Sequence, residues 1–376
     1  MAFDAWRSDF LARAPEDVRP ILARELAGLS PDARAITSDL GQPEFSRPVS
    51  AYVQGALGGD RIPFGRQSRA RVPGIEQVEA RYGVPPEIVT AIWGMETSYG
   101  RIKGDKDVVR VLATLAAQGR RRAWAESQLV AAARMIARGD AQRAQLIGSW
   151  AGAMGHTQFI PETYLRLAVD GDGDGDRDIW NSEIDALHSA ANLLANAGWK
   201  RGGSWAVEVV TPPSGFDFSV AETVALKPAE WVARGVRRAD DRPWNAVDAD
   251  SEARLIVPTG ARGPAFLTFP NHMAIRAYNN SVAYALAVGL IADGLSDASP
   301  LRTPWPDEQP LSLADRRAVQ AALTQMGYDV GGIDGVIGTG TRAAVRAWQK
   351  SRGRPADGYV DAGVVAALRR EAGMGG

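Results

Sequence analysis

Residues 82–100 decide how this sequence folds, and they read Tyr82-Gly-Val-Pro85-Pro86-Glu-Ile-Val-Thr-Ala-Ile-Trp93-Gly-Met-Glu96-Thr-Ser-Tyr-Gly100. Proline is common in the first turn of a helix and glycine follows its end, so the segment predicts a helix that begins near Pro86 and ends at Gly100. The positions of one helical face, spaced i, i+3, i+4 and i+7, are Val89, Ile92, Trp93 and Glu96. The pattern therefore places a carboxylate on an apolar stripe.

This setting predicts an unusual protonation state for Glu96. Burial beside Trp93 disfavours the charged form, and the last turn of a helix faces the negative end of its dipole, so both effects raise the pKa of the carboxyl group. A carboxylic acid that stays protonated near neutral pH can protonate a glycosidic oxygen, which contributes roughly 10²–10⁴ in rate. Spacing alone leaves a second interpretation open, in which Glu96 pairs with a buried arginine or caps a loop.

The composition narrows the chemistry further. The 376 residues include 43 Lys plus Arg, 44 Asp plus Glu, 3 His and no Cys. The near-neutral charge argues against a nucleic-acid partner, because it offers no basic surface for a phosphate backbone. The lack of thiols excludes a Cys nucleophile, disulfides and thiolate zinc sites. Catalysis should rest on carboxylates, hydroxyls or backbone groups.

Hydrophobic patterning predicts a mainly α-helical domain over residues 1–295 with a small α/β insertion at about 200–270. Helical patterns fill the first 200 residues. The short β-prone runs that follow are Val207–Val210, Leu255–Val257 and Phe266–Phe269. A helix is then predicted over residues 282–293, with Ser281 as its N-cap and Gly294 as its stop.

A second, smaller module is predicted at the C-terminus. Four prolines between 300 and 310 prevent regular structure, so residues 296–310 should form a semi-rigid linker. Beyond it, Asp-Gly turns at Asp334 and Asp357 alternate with helical patterns, which predicts three helices over residues 311–370. No run of about 18 apolar residues occurs, so we expect no transmembrane segment.

Three motifs carry a resemblance to a known family, and they read Ile92-Trp-Gly-Met-Glu96-Thr-Ser-Tyr-Gly100, Gly148-Ser-Trp-Ala-Gly-Ala-Met-Gly155-His-Thr-Gln158-Phe-Ile-Pro161 and Ala277-Tyr-Asn-Asn-Ser-Val-Ala-Tyr284-Ala. They resemble the membrane-bound lytic murein transglycosylase B family, and the similarity extends over nearly the whole chain, including residues 42–45. The C-terminal module resembles a peptidoglycan-binding domain with the V-Q-x-x-L and D-G-x-x-G-x-x-T patterns.

The resemblance implies a lysozyme-like fold and an enzyme that cleaves the β-1,4 bond between N-acetylmuramic acid and N-acetylglucosamine in peptidoglycan. Glu96 would first act as the acid and the substrate's N-acetyl oxygen would assist. Glu96 would then take the proton of the C6 hydroxyl, which gives a 1,6-anhydromuramoyl end without water or a cofactor. Asp105 and Asp107 lie among lysines and fit a solvated loop better than a second catalytic carboxylate.

Two other functions stay open. A muramidase would hydrolyse the same bond, for which two carboxylates are normally needed. A non-catalytic cell-wall-binding scaffold would use Glu96 as a structural residue only.

The resemblance also implies the substrate-binding residues, which are Ser149, Met154, Gln158, Tyr278, Asn279, Tyr284 and, through a looser alignment, Tyr52. Ser149 would lie close to Glu96, Met154 would line the sugar cleft and Gln158 would donate hydrogen bonds. The small residues around Trp150 would let a ligand approach the backbone, although a tight helix crossing explains them equally well. Aromatic residues at helical spacing are more often core residues, which is the alternative for the tyrosines.

An acidic loop predicts a structural Ca²⁺ site. Aspartates alternate with glycines from Asp170, as in a calcium-binding loop, but position 12 is Asn181 instead of glutamate. The closing carboxylate must follow later, and the resemblance suggests Asp185, with Glu183 as the runner-up. The predicted ligands are Asp170, Asp172, Asp174, Asp176 and Asp185; a solvated acidic loop is the alternative.

The N-terminal residues do not have the charged and apolar regions of a signal peptide, nor a lipidated Cys. We expect a periplasmic enzyme whose signal segment is not part of this sequence, with a soluble or a membrane-anchored precursor. The expected partners are peptidoglycan glycan strands and stem peptides, together with cell-wall synthases or other hydrolases.

Overall fold

The computed structural model of the protein describes residues 3–40 and 47–374, so the motif at residues 42–45 lies outside the described residues. These residues form two compact units, one of residues 3–40, 59–201 and 290–297 and the other of residues 47–58, 202–289 and 298–374. Among the described helices, none is long and apolar enough to cross a membrane.

The described residues contain 18 α-helices and eight short strands. The helices are α1 Phe3–Arg13, α2 Arg19–Leu26, α3 Ala33–Leu40, α4 Val49–Leu57, α5 Arg61–Arg69, α6 Gln77–Tyr82, α7 Pro86–Thr97, α8 Val108–Gln118, α9 Arg122–Arg138, α10 Pro161–Leu167, α11 Glu183–Asn196, α12 Pro228–Ala233, α13 Ala246–Asp250, α14 Pro270–Tyr278, α15 Val282–Leu295, α16 Leu313–Gln325, α17 Thr339–Ser351 and α18 Ala362–Glu371. The strands are β1 Lys106–Asp107, β2 Ile147–Gly148, β3 Ala206–Val210, β4 Ala225–Leu226, β5 Arg237–Arg238, β6 Ala253–Ile256, β7 Pro258–Ala261 and β8 Ala265–Thr268.

The first unit is built around α8. Every residue from Val111 to Ala117 is buried, which is the pattern of a helix that is apolar on all sides. Helices α1, α2, α3 and α9 pack around it. Asp107 caps its N-terminus by accepting a hydrogen bond from the backbone N–H of Arg110 at 3.0 Å. The helical first 200 residues predicted from the sequence are confirmed.

Helix α15 begins as predicted but ends later. The hydroxyl oxygen of Ser281 accepts a hydrogen bond from the backbone N–H of Tyr284 at 3.3 Å, so Ser281 is the N-cap. The predicted stop at Gly294 is wrong, because the helix continues to Leu295. A Cβ at position 294 would lie 2.5 Å from Cδ1 of Ile62 on α5, so the glycine allows close packing of the two helices instead of ending one.

The strands predicted after Trp205 are confirmed as part of a five-stranded antiparallel sheet in the second unit. Its strand order is β4-β6-β8-β3-β5. Trp231 of α12 is fully buried against one face, and its indole N–H donates to the carbonyl of Ala253 at 3.0 Å. The sheet is therefore a small folded layer with its own apolar core.

The three C-terminal helices are also confirmed, and each Asp-Gly turn is held by a buried glutamine. The side-chain amide of Gln320 donates to the Asp334 carboxylate at 2.9 Å and accepts from the N–H of Gly335 at 2.7 Å. Gln349 repeats this arrangement with residues 357 and 358, at 2.8 Å for both bonds. The two turns thus use one device twice.

The proline-rich segment before these helices contains no helix or strand, yet side chains fix it in place. The Glu208 carboxylate on β3 accepts hydrogen bonds from the backbone N–H groups of Arg302 and Thr303, both at 2.8 Å. Further along, the Glu308 carboxylate accepts from the hydroxyls of Ser50 and Tyr359. The stiffness of this segment therefore comes from contacts within the second unit as well as from proline.

We predict that the truncation Leu112→Ala in α8 lowers the stability of the first unit by about 2–5 kcal/mol, because Leu112 is 0% exposed and the change leaves a cavity. Chemical denaturation followed by circular dichroism measures this loss. The control Leu313→Ala removes a leucine that is 47% exposed and should cost less than about 0.5 kcal/mol. Equal losses in the two variants would contradict the assigned core.

Candidate active site

Glu96 lies in the last turn of α7, one residue before its end. On the same face, Val89 and Ile92 are 0% exposed and Trp93 is 3% exposed, whereas Glu96 is half-buried. The predicted apolar stripe is confirmed, and the glutamate lies at its edge. A carboxylate in this position borders an apolar surface and still reaches the outside of the helix.

The backbone after Glu96 has an unusual conformation. The sequence predicted that the helix would end at Gly100, but it ends at Thr97 because Ser98, Tyr99 and Gly100 have φ angles of 50°, 61° and 80°. A non-glycine residue in this left-handed region costs about 1–3 kcal/mol and persists only where the surroundings fix it. The turn that follows the candidate acid is therefore strained and must be held by other contacts.

Part of that support comes from α7 and α5. The N–H groups of Ser98 and Tyr99 donate to the carbonyls of Gly94 and Trp93 at 3.1 and 3.2 Å, which satisfies the helix C-terminus. The Tyr99 ring is buried, and its hydroxyl donates to the carbonyl of Arg61 at 2.8 Å. The ring therefore fixes the backbone in the left-handed conformation.

The rest of the support comes from His156. The Thr97 hydroxyl donates to the carbonyl of His156 at 2.7 Å and accepts from the N–H of Gly100 at 3.0 Å. The indole N–H of Trp93 donates to Nδ1 of His156 at 3.0 Å. A Cβ on Gly100 would lie 2.6 Å from the imidazole, so only glycine fits there. Burial and the nearby Lys103 ammonium lower the pKa of His156 to about 4, and the ring is neutral at ordinary pH.

The glycine-rich turn that contains Ser149 is folded on itself. The Ser149 hydroxyl oxygen accepts hydrogen bonds from the N–H groups of Ala151 and Ala153 at 3.3 and 3.1 Å. A side chain on Gly148 would overlap the carbonyl of Ala153, and Met154 bridges to Gly148 and to Phe159. The small residues let the protein's own backbone pack closely. Neither a ligand nor a helix crossing is needed to explain them.

Met154 and Gln158 have roles within this turn. Met154 is 0% exposed, so in this conformation its side chain belongs to the core and does not face a cleft. Gln158 has a φ angle of 54°, and its amide N–H₂ donates to the carbonyls of Gly155 and Lys103 at 3.0 and 3.2 Å. The amide donors that the resemblance assigns to a sugar are bonded here to carbonyls of the loop backbone.

A cavity of about 320 Å³ opens beside this turn. Its lining residues are Asp32, Arg34, Ala35, Gly104, Asp105, Lys106, Val111, Gly148, Ser149 and Trp150. Half-buried Trp150 offers an aromatic face, while Ser149 and the charged side chains offer hydrogen-bonding groups. An aromatic face combined with convergent polar groups suits a neutral sugar.

The remaining predicted sugar ligands belong to the second unit. Tyr278 is the last residue of α14 and Asn279 follows it; both are half-buried. Tyr284 lies in the first turn of α15 and is 3% exposed, and Tyr52 is half-buried on α4. Tyr278 and Tyr284 lie on different helices, because the chain bends at Asn279 between α14 and α15.

The loop between α7 and α8 is only partly solvated. Asp105 is exposed and pairs with Lys106 at 2.6 Å, as a solvated loop predicts. Lys103 is half-buried, and its ammonium donates to the carbonyl of Trp180 at 2.6 Å. Asp107 caps α8 and pairs with Arg143. Lys103 and Asp107 therefore fix the loop.

The acidic loop brings three of its predicted ligands together. One carboxylate oxygen from each of Asp170, Asp172 and Asp174 lies within 4.8 Å of the others. The N–H groups of Gly173 and Gly175 donate to Asp170 and lower the pKa of its carboxyl group. Converging carboxylate oxygens on a glycine-bearing loop are the ligands that Ca²⁺ prefers.

Asp185 lies beneath this loop at the start of α11 and is 0% exposed. Its carboxylate accepts hydrogen bonds from the N–H groups of Gly171 and Asp178 at 2.7 and 2.8 Å. Burial, with the charges of Asp172 and Asp170, raises the pKa of its carboxyl group. Glu183, the runner-up, is exposed. Asp176 is exposed, and slight desolvation together with the charges of Asp174 and Asp178 raises the pKa of its carboxyl group.

The mainly helical fold is shared with solved lytic transglycosylases, whose fold is lysozyme-like. Residues 2–293 match the family described as the transglycosylase SLT domain, and residues 312–368 match the peptidoglycan binding domain family. The chain therefore belongs to the SLT transglycosylase family.

Individual relatives agree with this assignment. The chain is 36% identical over 216 residues to the membrane-bound lytic murein transglycosylase B of Escherichia coli K12, a match that covers 55% of this chain and 56% of that enzyme. Its structure is similar to SltB3 of Pseudomonas aeruginosa, solved in complex with NAG-anhNAM-pentapeptide, with 45% identity, a TM-score of 0.88 and coverage of 98% of this chain and all of the other.

A more distant structural neighbour was solved with calcium. Slt35 of Escherichia coli, solved in complex with calcium, matches with 26% identity and a TM-score of 0.64, over 78% of this chain and 92% of that one.

Sequence reasoning missed the roles of Thr97, His156 and Lys103 around the acid. Only three histidines occur in the chain, and one of them follows the glycine-rich turn directly. That position was a usable signal. The pairing of His156 with Trp93 spans 63 residues and has no periodic signature.

We predict that Thr97→Val destabilises the first unit by about 1–3 kcal/mol, because the isosteric side chain leaves a buried carbonyl and N–H without their partner. Thermal unfolding of the purified variant measures this effect. Thr37→Val is the matched control, since the hydroxyl of Thr37 is exposed and bonds only its own helix. A loss no larger than in the control would show that the Thr97 bonds contribute nothing.

Proposed function

We propose that this chain is a peptidoglycan lytic transglycosylase that cleaves the β-1,4 bond between N-acetylmuramic acid and N-acetylglucosamine, with Glu96 as both acid and base. The observation that carries the proposal is the half-buried Glu96 on a helix end whose strained turn is held by Thr97, Tyr99 and His156. A general acid needs a fixed position relative to the bond it cleaves.

The reaction uses one carboxyl group in two steps. Protonated Glu96 donates its proton to the glycosidic oxygen. The bond between this oxygen and the muramoyl C1 breaks while the N-acetyl oxygen of the same sugar forms a bond to C1. The C6 hydroxyl oxygen then displaces the acetyl oxygen at C1, and the Glu96 carboxylate accepts the hydroxyl proton. The product carries a 1,6-anhydro ring, Glu96 is again protonated, and no water is consumed.

Sugar binding uses hydroxyl, amide and aromatic side chains. Ser149 and Trp150, on the wall of the cavity, supply a hydroxyl and an aromatic face. Tyr52, Tyr278, Asn279 and Tyr284 supply further hydroxyl and amide groups. Gln158 and Met154 act mainly by shaping the turn, since the amide donors of one serve carbonyls of the loop and the other is buried.

We also propose that the acidic loop holds a structural Ca²⁺. The carboxylates of Asp170, Asp172 and Asp174, which have oxygens within 4.8 Å of one another, would be its ligands. Asp176 would add its backbone carbonyl and Asp185 the closing carboxylate. The loop continues into Ile179 and Trp180, whose carbonyls accept from the N–H of His156 and the ammonium of Lys103. The ion therefore stabilises the support of the active site, while the reaction itself needs no metal.

The C-terminal module over residues 311–370 binds peptidoglycan stem peptides and keeps the catalytic domain, residues 1–295, at its polymeric substrate. A fixed second binding site raises the effective concentration of the first. Because the substrate lies outside the cytoplasmic membrane, the enzyme works in the periplasm, where cell-wall synthases or other hydrolases are its protein partners.

Digestion of purified sacculi tests the proposed reaction. We expect muropeptides with 1,6-anhydro ends, one water lighter than hydrolysis products by mass spectrometry. We expect Glu96→Gln to lose at least about 10²-fold in rate, because an amide cannot protonate the leaving oxygen. The control Glu87→Gln should keep its activity within about twofold, because Glu87 lies at the opposite end of the same helix, where it pairs with Arg69 and has no part in the proposed reaction.

The alternatives give different results in the same assay. Reducing ends that carry the extra water would identify a muramidase. Sacculi that are bound but not cleaved by either the parent or the Glu96→Gln protein would identify a scaffold.

Metal removal tests the calcium site. We expect added Ca²⁺ to raise the melting temperature of the EDTA-treated protein by several degrees, since a ligand at 100 times its Kd contributes about 2.7 kcal/mol. Asp172→Asn should abolish the shift. Asp105→Asn, which changes an exposed aspartate outside the loop, should preserve it. No shift in the parent protein would mean that the loop is solvated.

A further inference from the structure

We infer that His156 is a positioning residue for the reaction, one that fixes Glu96 through the residues on either side of it. The inference rests on the proposed role of Glu96. It assigns a function to a side chain that does not itself touch the substrate bond.

The first argument is the set of contacts that His156 makes with α7 and its turn. Nδ1 accepts from the indole of Trp93, three residues before Glu96, and the His156 carbonyl accepts from Thr97, the next residue after it. The imidazole also faces Gly100 too closely for any side chain there. One residue therefore contacts the acid-bearing segment before, directly after and beyond Glu96.

The second argument is that His156 is itself anchored from the other side. Its backbone N–H donates to the carbonyl of Ile179 at 2.9 Å, and the hydroxyl of the next residue, Thr157, donates to the carbonyl of Ala186 on α11 at 3.2 Å. His156 is 5% exposed. A buried residue whose backbone is tied to a separate element can transmit that element's position to the turn that its ring and carbonyl contact.

The third argument concerns the charge of the ring. Nδ1 can accept from Trp93 only while it carries no proton, so the neutral ring holds its proton on Nε2. The charged groups that act on the ring are Lys103, whose ammonium lies 3.5 Å from Nε2, and the more weakly coupled Glu183 and Asp178. The ammonium and burial keep the ring neutral, so the bond to Trp93 persists throughout the neutral pH range.

Loss of the Nδ1 acceptor should therefore impair the reaction more than substrate binding. A buried indole N–H without a partner has a strong tendency to move, and Trp93 lies one turn before the acid on the same face. A displacement of about 1 Å at a reacting group can cost 10²-fold in rate.

The experiment compares two substitutions of the histidine. In His156→Phe a phenyl ring takes the place of the imidazole, and the Nδ1 acceptor is lost. We expect kcat to fall about 10- to 100-fold, with KM within about threefold of the parent. In His156→Asn the amide oxygen takes the place of Nδ1, and we expect kcat within about threefold of the parent. Equal losses in the two variants, or none in His156→Phe, would overturn the inference.

A matched pair of tryptophan variants covers the case in which His156→Phe fails to fold. Trp93→Phe removes the donor to His156, whereas Trp6→Phe removes a buried indole that donates to Glu126 at 2.9 Å in the same unit. We expect kcat to fall about tenfold in Trp93→Phe and to stay within about twofold in Trp6→Phe. Equal rates at comparable melting temperatures would contradict a positioning role.

The pH profile of kcat and the Glu96→Gln variant complete the test. A displaced Glu96 should have a different carboxyl pKa, so the basic limb of the profile should move in His156→Phe and not in Trp6→Phe. An active Glu96→Gln protein would refute the proposed function itself. An inactive Glu96→Gln together with a fully active His156→Phe would refute only the role of His156.

Discussion

The hydrogen bond from the Thr97 hydroxyl to the His156 carbonyl joins the strained turn after Glu96 to the rest of the first unit. Three successive left-handed residues would relax if they depended on local bonds alone, because two of them carry side chains. Thr97, Tyr99 and His156 over-determine the turn from two directions. The candidate acid is therefore held in a fixed position at the end of α7, where its carboxylate is only half-buried.

Several glycines of the first unit allow close contact between protein segments. Gly148 adjoins the Ala153 carbonyl, Gly100 the His156 ring and Gly294 the Ile62 side chain. The glycine-rich motif is therefore a compact loop that carries Ser149 and Trp150 on its outer side. Its packing explains why a motif that appears suited to a ligand also has a structural purpose.

Loops of the second unit are held by buried and half-buried polar side chains that bind loop backbone. Gln320 and Gln349 each hold an Asp-Gly turn through both ends of one amide, and Glu208 holds two N–H groups of the proline-rich segment. Prolines in a sequence predict stiffness but not direction. The carboxylate of Glu208 supplies the direction, because it fixes where two successive N–H groups must point.

The sequence by itself determined the features that depend on neighbouring residues: the helix with Glu96 in its last turn, the strands after Trp205, the cap at Ser281 and the three C-terminal helices. Periodicity, capping and turn chemistry act within a few residues and so can be predicted along the chain. Only the tertiary structure decided that α7 ends at Thr97, that Gly294 lies within a helix, that Met154 is buried and that His156 adjoins Trp93. These depend on packing between segments distant in sequence, for which a single chain carries no periodic signal.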